Sequence, residues 1–430
     1  MNEQIEQRIT QLNNGEIPSG YEKTEFGVFP CDWVKDKTFG DLFDFYGGLG
    51  KSRDELGDEG HAYLHYGDLH RGAFNVVSHE QYEQLPKYDV ALKGTETYLM
   101  EDGDVAFLDA SEDLEGTSCA VLIDNPDNEP FIAGLHIIYG KSKDESLEKW
   151  YKQYITSSES VRKQFQRLAA GFKVYGVNRD TLPRIQVAYP KSTEEQSKIA
   201  EILMKWDEAI ELQEQYIQTL LSMKITYVDK FFCALGEEKT KFDLLYKTAG
   251  EGGTPDTKKQ AYYDSEDVPF VKIEHLAEKY ITKIDSYISN LGLQKSGAWL
   301  VPENCLIFSN GATIGEASIN KIPVATKQGI LGIVPSDVID VEYFYYLVKS
   351  KYFLSKVKKI TTKGTICTAY LKDINRLSLF IHEKEDQIKI AKILSSIDCL
   401  IEDEKRKVDL LKKQRKALQQ YLLNGIVRVK

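Results

Sequence analysis

Two long windows of the chain carry apolar side chains at helical spacing and contain no proline. The first lies between Pro190 and Pro255, and the second follows Pro335. Apolar residues recur in both at intervals of three and four, which places them on one face of an α-helix. The pattern predicts two long helices whose apolar faces pack together. The side chains predicted to pack in this helix pair are Ile199, Ile202, Leu203, Trp206, Ile210, Leu220, Ile390, Ile393, Leu394, Ile397, Ile401 and Leu411.

Local signals predict where these helices begin and end. Thr193 followed by Gln196 has the form of a capping box, and Asn424-Gly425 is typical of a helix end. A helix over 194–232 would be about 58 Å long, which exceeds what one small domain needs. We therefore expect the two helices to pair and to hold the globular parts apart.

The chain also repeats itself. EEQSKIAEIL at 194–203 returns as EDQIKIAKIL at 385–394, with seven of ten positions identical. Farther upstream, GDLFDFYGGLGKS at 40–52 resembles FDLLYKTAGEGGT at 242–254. A period of about 190 to 200 residues is far longer than that of a solenoid repeat. The sequence therefore predicts a tandem of two full domains, each followed by a long helix.

The segments between the helical windows have the character of mixed domains. Short apolar runs such as DVAFL at 104–108 and CLIFS at 305–309 predict strands, and turns rich in Gly, Asn, Asp and Pro separate them. A helix is predicted to close each domain, at 148–168 and at 342–360. The fold class is therefore α+β, with two tandem mixed α/β domains separated by a pair of long antiparallel coiled-coil helices.

These features divide the chain into five segments. They are an N-terminal helical extension at 1–19, a first globular domain at 20–190, a central long helix at 191–236, a second globular domain at 237–381 and a C-terminal long helix at 382–430. In addition, QLNNGEI at 11–17 resembles YLLNGIV at 421–427, which predicts that the two chain ends lie next to each other.

Composition places the chain among folded proteins of two or three domains. It has 430 residues, of which 42% are hydrophobic and 28% charged. The start carries no apolar segment typical of a signal peptide, and no apolar run approaches the length of a membrane span, so we expect a cytoplasmic protein. Six cysteines without a Cys-x-x-Cys pair favour neither a disulfide framework nor a zinc site.

The distribution of charge changes the meaning of the net charge. A total of −11 argues against a nucleic-acid partner, but residues 79–129 hold fourteen acidic residues and two lysines, so the rest sums to −11 + 12 = +1. Residues 151–190 carry seven basic and two acidic side chains, and residues 343–380 carry eight and one. A single basic stretch is usually a solvated face. Its recurrence in both copies favours contact with phosphates.

The predicted DNA-binding residues lie in these basic stretches and in glycine-containing turns of each copy. A mixture of basic, hydroxyl and glycine residues suits phosphate contacts beside base-edge contacts. Two similar DNA-binding domains held apart by long helices predict a target sequence in two separated halves. The candidates are Lys51, Ser52, Arg53, Lys163, Arg167, Lys173, Thr254, Lys258, Lys259, Lys327, Lys358, Lys359, Lys363 and Thr365.

Two sequence features could suggest chemistry but support it weakly. YGGLGKS at 46–52 resembles a phosphate-binding loop, but the required first glycine is Phe45. In a strand, His61 and His65 would be about 13 Å apart, too far to share one metal ion. No methyltransferase, Walker or Gly-x-Ser-x-Gly signature occurs, so neither a catalytic nor a metal site is predicted.

Three stretches carry a family resemblance: GYEKTEFGVFPCDW at 20–33, RIQVAYPKSTEEQSKIAEIL at 184–203 and RLSLFIHEKEDQIKIAKIL at 376–394. Together they resemble the DNA-specificity subunit of type I restriction-modification systems, over about residues 20–425. The resemblance implies two target-recognition domains, each reading half of a bipartite site in double-stranded DNA. It also implies antiparallel helices that act as a ruler and dock two methyltransferase (modification) subunits.

The resemblance further implies how the chemistry is shared among subunits. S-adenosylmethionine, ATP and magnesium would bind partner subunits, and restriction subunits would translocate and cleave DNA, so this chain would be non-catalytic and bind no cofactor. The main alternative is a coiled-coil scaffold that does not read DNA. A third is an enzyme that uses 47–52 as a phosphate loop. A steep salt dependence of DNA binding would distinguish the reader from the scaffold.

Overall fold

The computed structural model of the chain divides into two compact units. Unit 1 comprises Met1–Leu212 and Val408–Lys430, and unit 2 comprises Gln213–Lys407. The structure describes residues 3–70, 76–91, 93–111, 120–168, 175–176, 178–233, 239–311, 313–362 and 367–429.

The helices and strands of unit 1 precede the first long helix. Its helices are α1 (Glu3–Asn13), α2 (Phe39–Leu42), α3 (Tyr66–His70), α4 (His79–Tyr82), α5 (Lys149–Ile155) and α6 (Glu159–Leu168). Its strands are β1 (Tyr21–Lys23), β2 (Val28–Pro30), β3 (Val34–Thr38), β4 (Phe43–Gly47), β5 (His61–Leu64), β6 (Val76–Val77), β7 (Lys87–Tyr88), β8 (Val105–Leu108), β9 (Ala110–Ser111), β10 (Ala120–Ile123), β11 (Phe131–Ala133), β12 (Ile137–Ser142), β13 (Tyr175–Gly176) and β14 (Gln186–Tyr189).

Two long helices, α7 (Thr193–Phe231) and α12 (Lys384–Leu423), contribute residues to both units. The other helices of unit 2 are α8 (Asn290–Gln294), α9 (Val341–Lys349), α10 (Lys351–Ile360) and α11 (Leu371–Ile374). Its strands are β15 (Thr240–Lys241), β16 (Tyr246–Glu251), β17 (Val268–Val271), β18 (Tyr280–Ile281), β19 (Tyr287–Ile288), β20 (Leu300–Val301), β21 (Leu306–Ser309), β22 (Ala317–Asn320), β23 (Val324–Thr326), β24 (Ile330–Pro335) and β25 (Ser378–Leu379).

Both units contain the same main sheet. Its strand order is β4-β12-β8-β10-β6 in unit 1 and β16-β24-β21-β22-β18 in unit 2. In each sheet only the last pair is parallel, and the other pairs are antiparallel. A smaller sheet in each unit contains one further parallel pair, β5 with β11 and β17 with β23. The tandem duplication predicted from the repeat is therefore confirmed, as is the mixed fold.

Each main sheet buries its apolar face against its unit's helices. In unit 1 this core contains Phe39, Phe107 and Phe165, and in unit 2 the equivalent core contains Phe242 and Phe308. Each buried aromatic ring adds a large apolar area to this core. The predicted closing helices are each split in two. In unit 2 the break falls at Ser350, whose hydroxyl accepts from the backbone of the next helix and caps it.

The long helices α7 and α12 contact each other within each unit. In unit 1, Asp207 of α7 contacts Arg415 of α12. In unit 2, Lys224 of α7 contacts Asp398 of α12, and Gln213 donates to Glu404 at 2.6 Å. In unit 2 a later residue of α7 thus contacts an earlier residue of α12. The two contacts in unit 2 confirm the predicted antiparallel direction there, and Asp207 and Arg415 bring the same two helices together in unit 1.

Burial divides the predicted packing residues into groups. Ile199 and Leu203 lie in the core of unit 1, and Ile390 and Leu394 in that of unit 2, so their contacts include the globular domains. Ile393 was predicted to pack but is 45% exposed, because the neighbouring Leu394 occupies the inward-facing position. The other buried positions are Ile210, Leu220, Ile397 and Ile401. The half-buried positions are Ile202, Trp206 and Leu411.

Gln196 and its repeat equivalent Gln387 each tie the start of a long helix to a loop. This role differs from the capping box that the sequence predicts for Gln196. Gln196 is fully buried. Its amide donates to the carbonyls of Ser146 and Pro190, each at 2.9 Å, and its oxygen accepts from Glu148 N at 2.8 Å. The side chain thus ties the start of α7 to the loop before α5. Gln387 makes the matching three bonds to Asp340, Val338 and His382.

The two chain ends meet in unit 1, as the echo between 11–17 and 421–427 predicts. Arg8 donates to the carbonyl of Ile426 at 3.0 Å. Arg428 pairs with Asp32 at 2.9 Å and with Glu195 at 2.6 Å. The predicted end of the last helix is confirmed, because α12 stops at Leu423 just before Asn424-Gly425. None of the helices in the described part of the chain is long and apolar enough to span a membrane.

Candidate nucleic-acid interface

One edge of the main sheet is built from closely packed backbone in both units. In unit 1 a Cβ atom on Gly48 would lie 1.9 Å from the carbonyl oxygen of Gly134. In unit 2 a Cβ atom on Gly252 would lie 1.8 Å from that of Thr326. Only glycine allows this approach. We call these surfaces the glycine edges; they comprise residues 48–53, 109 and 134–136 in unit 1, and 252–259, 310 and 327–329 in unit 2.

Tyr63 organises the glycine edge of unit 1 from beneath. It is fully buried as a residue. Its hydroxyl accepts from Leu135 N at 2.8 Å and from Lys51 N at 3.0 Å, and donates to the carbonyl of Leu49 at 2.5 Å. One side chain thus fixes two loops together. The sequence analysis did not single out Tyr63, since its partners are distant in the sequence.

The predicted DNA-binding cations of this edge are paired with carboxylates. Lys51 Nζ lies 2.9 Å from Glu55, and Arg53 lies 2.9 Å from Asp68. Glu55 also accepts from the backbone and hydroxyl of Ser52. The Lys51 hydrogen bond, helped by Ser52, lowers the pKa of Glu55 to about 2. The loop is therefore close to neutral overall.

The glycine edge of unit 2 has more unbalanced positive charge. Thr254, Lys258 and Lys259 are exposed, and Lys327 is half-buried beside Gly252. The Lys259 ammonium lies 5.4 Å from the centre of the Tyr262 ring. No described carboxylate forms an ion pair with Lys258. The cations of this edge are therefore less balanced by carboxylates than those of unit 1.

The basic helices differ in what their cations face. In unit 1, Lys163 pairs with Glu159 at 2.7 Å and lines a groove between α6 and the end of α12, whereas Arg167 is exposed in the last turn of α6. In unit 2, Lys358 and Lys359 are exposed in the last turn of α10, without an ion pair to any described residue. Lys173, Lys363 and Thr365 lie outside the described residues.

The segment after α10 leads to the glycine edge of unit 2. Thr362 N donates to the carbonyl of Thr368 at 3.1 Å, and Ala369 N donates to that of Asn310 at 2.9 Å. The Asn310 amide returns a bond to the Ala369 carbonyl. The structure thus brings the end of the basic helix towards the edge that carries Lys327 and Lys258.

The features that could suggest chemistry have structural roles. After β4 the segment 48–52 continues into a single 3₁₀ turn, Arg53–Glu55, and not into the long helix of a phosphate-binding loop. His65 Nδ1 accepts from Gly67 N at 3.1 Å, and burial lowers the pKa of His65. The described residues contain no group of His, Cys, Asp and Glu side chains that could hold a metal ion.

Comparison with known proteins identifies the class. The family model "Type I restriction modification DNA specificity domain" matches residues 31–222 and 243–413. The chain therefore belongs to this family of DNA specificity subunits. Both copies of the repeat are matched, in agreement with the two equivalent units. Membership also agrees with the prediction of a non-catalytic specificity subunit.

Particular relatives resemble the chain to different extents. The MjaIX specificity subunit of Methanocaldococcus jannaschii is 30% identical over 165 residues, which is 38% of each chain. The putative MjaX specificity subunit of the same organism is 21% identical over 95% of this chain and 97% of the relative. A solved chain from a study of complex assembly and conformational transition of the type I restriction-modification system aligns with TM-score 0.62 and 14% identity, over 96% of this chain and all of that one. This last likeness supports the fold.

Proposed function

We propose that this chain gives a type I restriction-modification complex its DNA sequence specificity, and that each glycine edge contacts one half of a bipartite target. The observation that carries the proposal is the repetition of one sheet order and one glycine edge in two units. Loops positioned by a rigid scaffold are common sites of recognition. Exposed basic side chains next to these edges supply phosphate contacts, and side chains on the edges supply base contacts.

The long helices offer a surface for the partner subunits. In unit 2, α7 exposes Tyr216 (44%), Met223 (36%) and Tyr227 (37%). Steps of seven and eleven residues are close to two and three turns, so these side chains share one face. On α12 in unit 2, Ile393 (45%) and Leu400 (37%) are also exposed. Exposed apolar stripes of this kind mark interaction surfaces.

We assign this surface to methyltransferase subunits, because the chain belongs to a family that is part of such complexes. The duplication supports two of them, one for each repeat. S-adenosylmethionine, ATP and magnesium would then bind the modification and restriction subunits, and the assembly would act in the cytoplasm on double-stranded DNA. The scaffold alternative is less favoured, because it does not explain why both units repeat the same glycine edge.

DNA binding by the purified assembly tests the proposal. The chain, co-purified with its modification subunit, is incubated with a pool of duplexes carrying a randomised central segment, and the retained duplexes are sequenced. We expect one split motif, and binding of that motif that weakens steeply with salt because phosphate contacts release counterions. A scrambled duplex of equal composition is the control. Equal affinity for both duplexes would contradict sequence-specific reading.

A further inference from the structure

The glycine edge of unit 1 holds a histidine in a backbone conformation that side chains rarely adopt. His136 has φ 60°, and the equivalent Gly329 of unit 2 has φ 85°. Matching hydrogen bonds establish the equivalence. Asp109 N donates to the carbonyl of His136 at 3.1 Å, and Asn310 N donates to that of Gly329 at 3.1 Å. Unit 1 therefore carries an imidazole where the same turn of unit 2 has no side chain.

Two side chains fix the His136 ring. Its Nδ1 lies 2.9 Å from Asp109 Oδ1. The Tyr66 ring meets it edge to face, with the ring centres 5.3 Å apart and the planes at 85°. Tyr66 is itself held by a bond from its N–H to the carbonyl of Leu135. Burial raises the pKa of the Asp109 carboxyl, and the nearby imidazole acts in the opposite direction.

This ring is restrained and yet accessible. The His136 side chain is 45% exposed. With Nδ1 turned to Asp109, Nε2 is the ring atom left for an outside partner. A neutral imidazole would accept there from an amino group on a base edge, such as N6 of adenine or N4 of cytosine, and a charged one would donate to guanine. A side chain already fixed in place loses little conformational entropy on binding.

We propose that His136, positioned by Asp109, reads one base pair in the half-site contacted by unit 1. The inference rests on the proposed function and adds a specificity-determining residue to it. A strained backbone persists where the surrounding structure imposes it, and such residues cluster at binding sites. Since Asn310 and Gly329 offer no comparable side chain, this contact belongs to one half-site only.

Two glycine substitutions separate base reading from backbone strain. His136→Gly removes the imidazole and places in the turn the residue that unit 2 uses there. Asn128→Gly is the matched control, because Asn128 also has positive φ (49°) but lies before β11, at the opposite end of that strand from Gly134. Both variants relieve strain, and only the first changes the glycine edge.

The measurement is selection from the randomised duplex pool by the full chain with its modification subunit. For His136→Gly we expect base preference at one position of one half-site to fall by about tenfold, the usual cost of one mismatched pair. The other half-site is an internal control and stays unchanged. Asn128→Gly should select the motif of the unaltered protein.

The positioning role of Asp109 is tested by two substitutions that differ in hydrogen bonding. Asn at 109 keeps an oxygen that can accept from His136 Nδ1, whereas Ala does not. We expect Asp109→Asn to retain most of the base preference and Asp109→Ala to lose it at the same position as His136→Gly. A purely structural role for Asp109 would instead weaken selection of all positions together.

The outcomes distinguish this proposal from the function on which it rests. If the unaltered assembly selects no split motif, the proposed function fails, and the assignment of His136 fails with it. If a split motif is selected and His136→Gly leaves every position unchanged, only the assignment of His136 is overturned. Equal loss of preference in both half-sites would also overturn it, because the variant would then act on the fold.

Discussion

Units 1 and 2 share a fold but balance their charges differently. At the glycine edge of unit 1, carboxylates pair with Lys51 and Arg53, whereas Lys258 in unit 2 has no ion pair with any described residue. The turn that presents His136 in unit 1 presents Gly329 in unit 2. The two units therefore have the duplicated backbone in common. The edge side chains have diverged, as two readers of different half-sites require.

The interiors of the two units have diverged as well. The repeat aligns Asp104 of unit 1 with Cys305 of unit 2, and both side chains are buried. Burial raises the pKa of Asp104 to about 7 and that of the Cys305 thiol to about 11. Unit 1 therefore contains a carboxyl that titrates near neutral pH, at a position where unit 2 has a thiol that remains neutral.

The largest expected effect is a loss of stability of unit 1 as the pH rises. The folded pKa of Asp104 is about 7, whereas an unfolded Asp titrates near 4. Because the folded state binds the proton more tightly, this stabilisation is present at low pH and is lost as the pH rises through 7. Linkage gives about 3 kcal/mol between pH 5 and pH 8. Urea unfolding at the two pH values measures it.

Asp104→Asn is the variant that checks this assignment. An amide has nearly the same shape and does not titrate, so the loss between pH 5 and pH 8 should shrink by most of that amount. Cys305→Ser in unit 2 serves as the control and should leave the pH dependence unchanged. An Asp104→Asn variant with the full pH dependence of the unaltered protein would contradict the assignment.

A smaller loss of stability is expected when a set of contacts that both units repeat is broken. In unit 1, Arg415 forms two bonds with Asp207, at 2.8 and 2.9 Å, and Asp207 accepts from Tyr154. Removing this carboxylate leaves a mostly buried guanidinium without its partner, so Asp207→Ala should destabilise unit 1 by about 2 kcal/mol. The equivalent set in unit 2 is Tyr346, Asp398 and Lys224.

The two carboxylates should not be equally important. Lys224 forms one ion pair within the described part of the chain and also lies over the Tyr346 ring, and its flexible stem can turn the ammonium towards water, so Asp398→Ala should cost about 1 kcal/mol. Asp403→Ala, at a 70% exposed ion pair with Arg406, is the control and should have almost no effect. Hydrogen exchange measured in each unit gives the loss of stability for Asp207→Ala in unit 1 and for Asp398→Ala in unit 2 separately. A larger loss for Asp398→Ala would contradict the comparison.

The last expected effect is on DNA affinity and not on stability. Replacing both Lys358 and Lys359 by alanine should weaken binding of all duplexes by about tenfold and reduce the salt slope by about 2, because phosphate contacts carry no base information. Lys51→Ala should have a smaller effect, since Glu55 already balances that charge. Titrations at several salt concentrations measure both. Weakening limited to one half-site sequence would contradict the phosphate role.

A matched control for the double substitution lies on the second long helix. Lys412 and Lys413 are also adjacent, exposed lysines, on α12 in unit 1. Replacing both by alanine changes the net charge by the same amount on α12, a helix that contributes no residue to a glycine edge. The salt slope should then remain that of the unaltered protein. An equal reduction would show that overall charge, and not the end of α10, sets the affinity.

The sequence reveals the parts of the fold that both copies repeat. EEQSKIAEIL and its twin predict two domains with long helices because these helix starts, including Gln196 and Gln387, do the same structural task. The helical stripe alone does not determine which of two adjacent apolar residues faces inward, and Ile393 was misplaced for that reason. The capping box predicted at Thr193 and Gln196 was also wrong, because the Gln196 side chain bonds to a loop that is distant in the sequence.

The candidate site was harder to predict, because its contacts join residues that are distant in the sequence. Tyr63 and Leu135 are 72 positions apart, and His136 meets Asp109 only because β12 pairs with β8. The pairing of Lys51 with Glu55 could have been predicted, since an acidic residue four positions away is a usual partner. The positive φ at His136 has no local sequence signal, because most histidines have negative φ.

The central claim is that the two units read the two halves of one target. A single-molecule methylome of the source strain with and without this gene tests it, together with a variant whose residues 240–380 come from another member of the family. We predict that loss of the gene removes methylation at one split motif, and that the exchanged chain changes one half of that motif only. An unchanged methylome, or a change in both halves, would contradict the account.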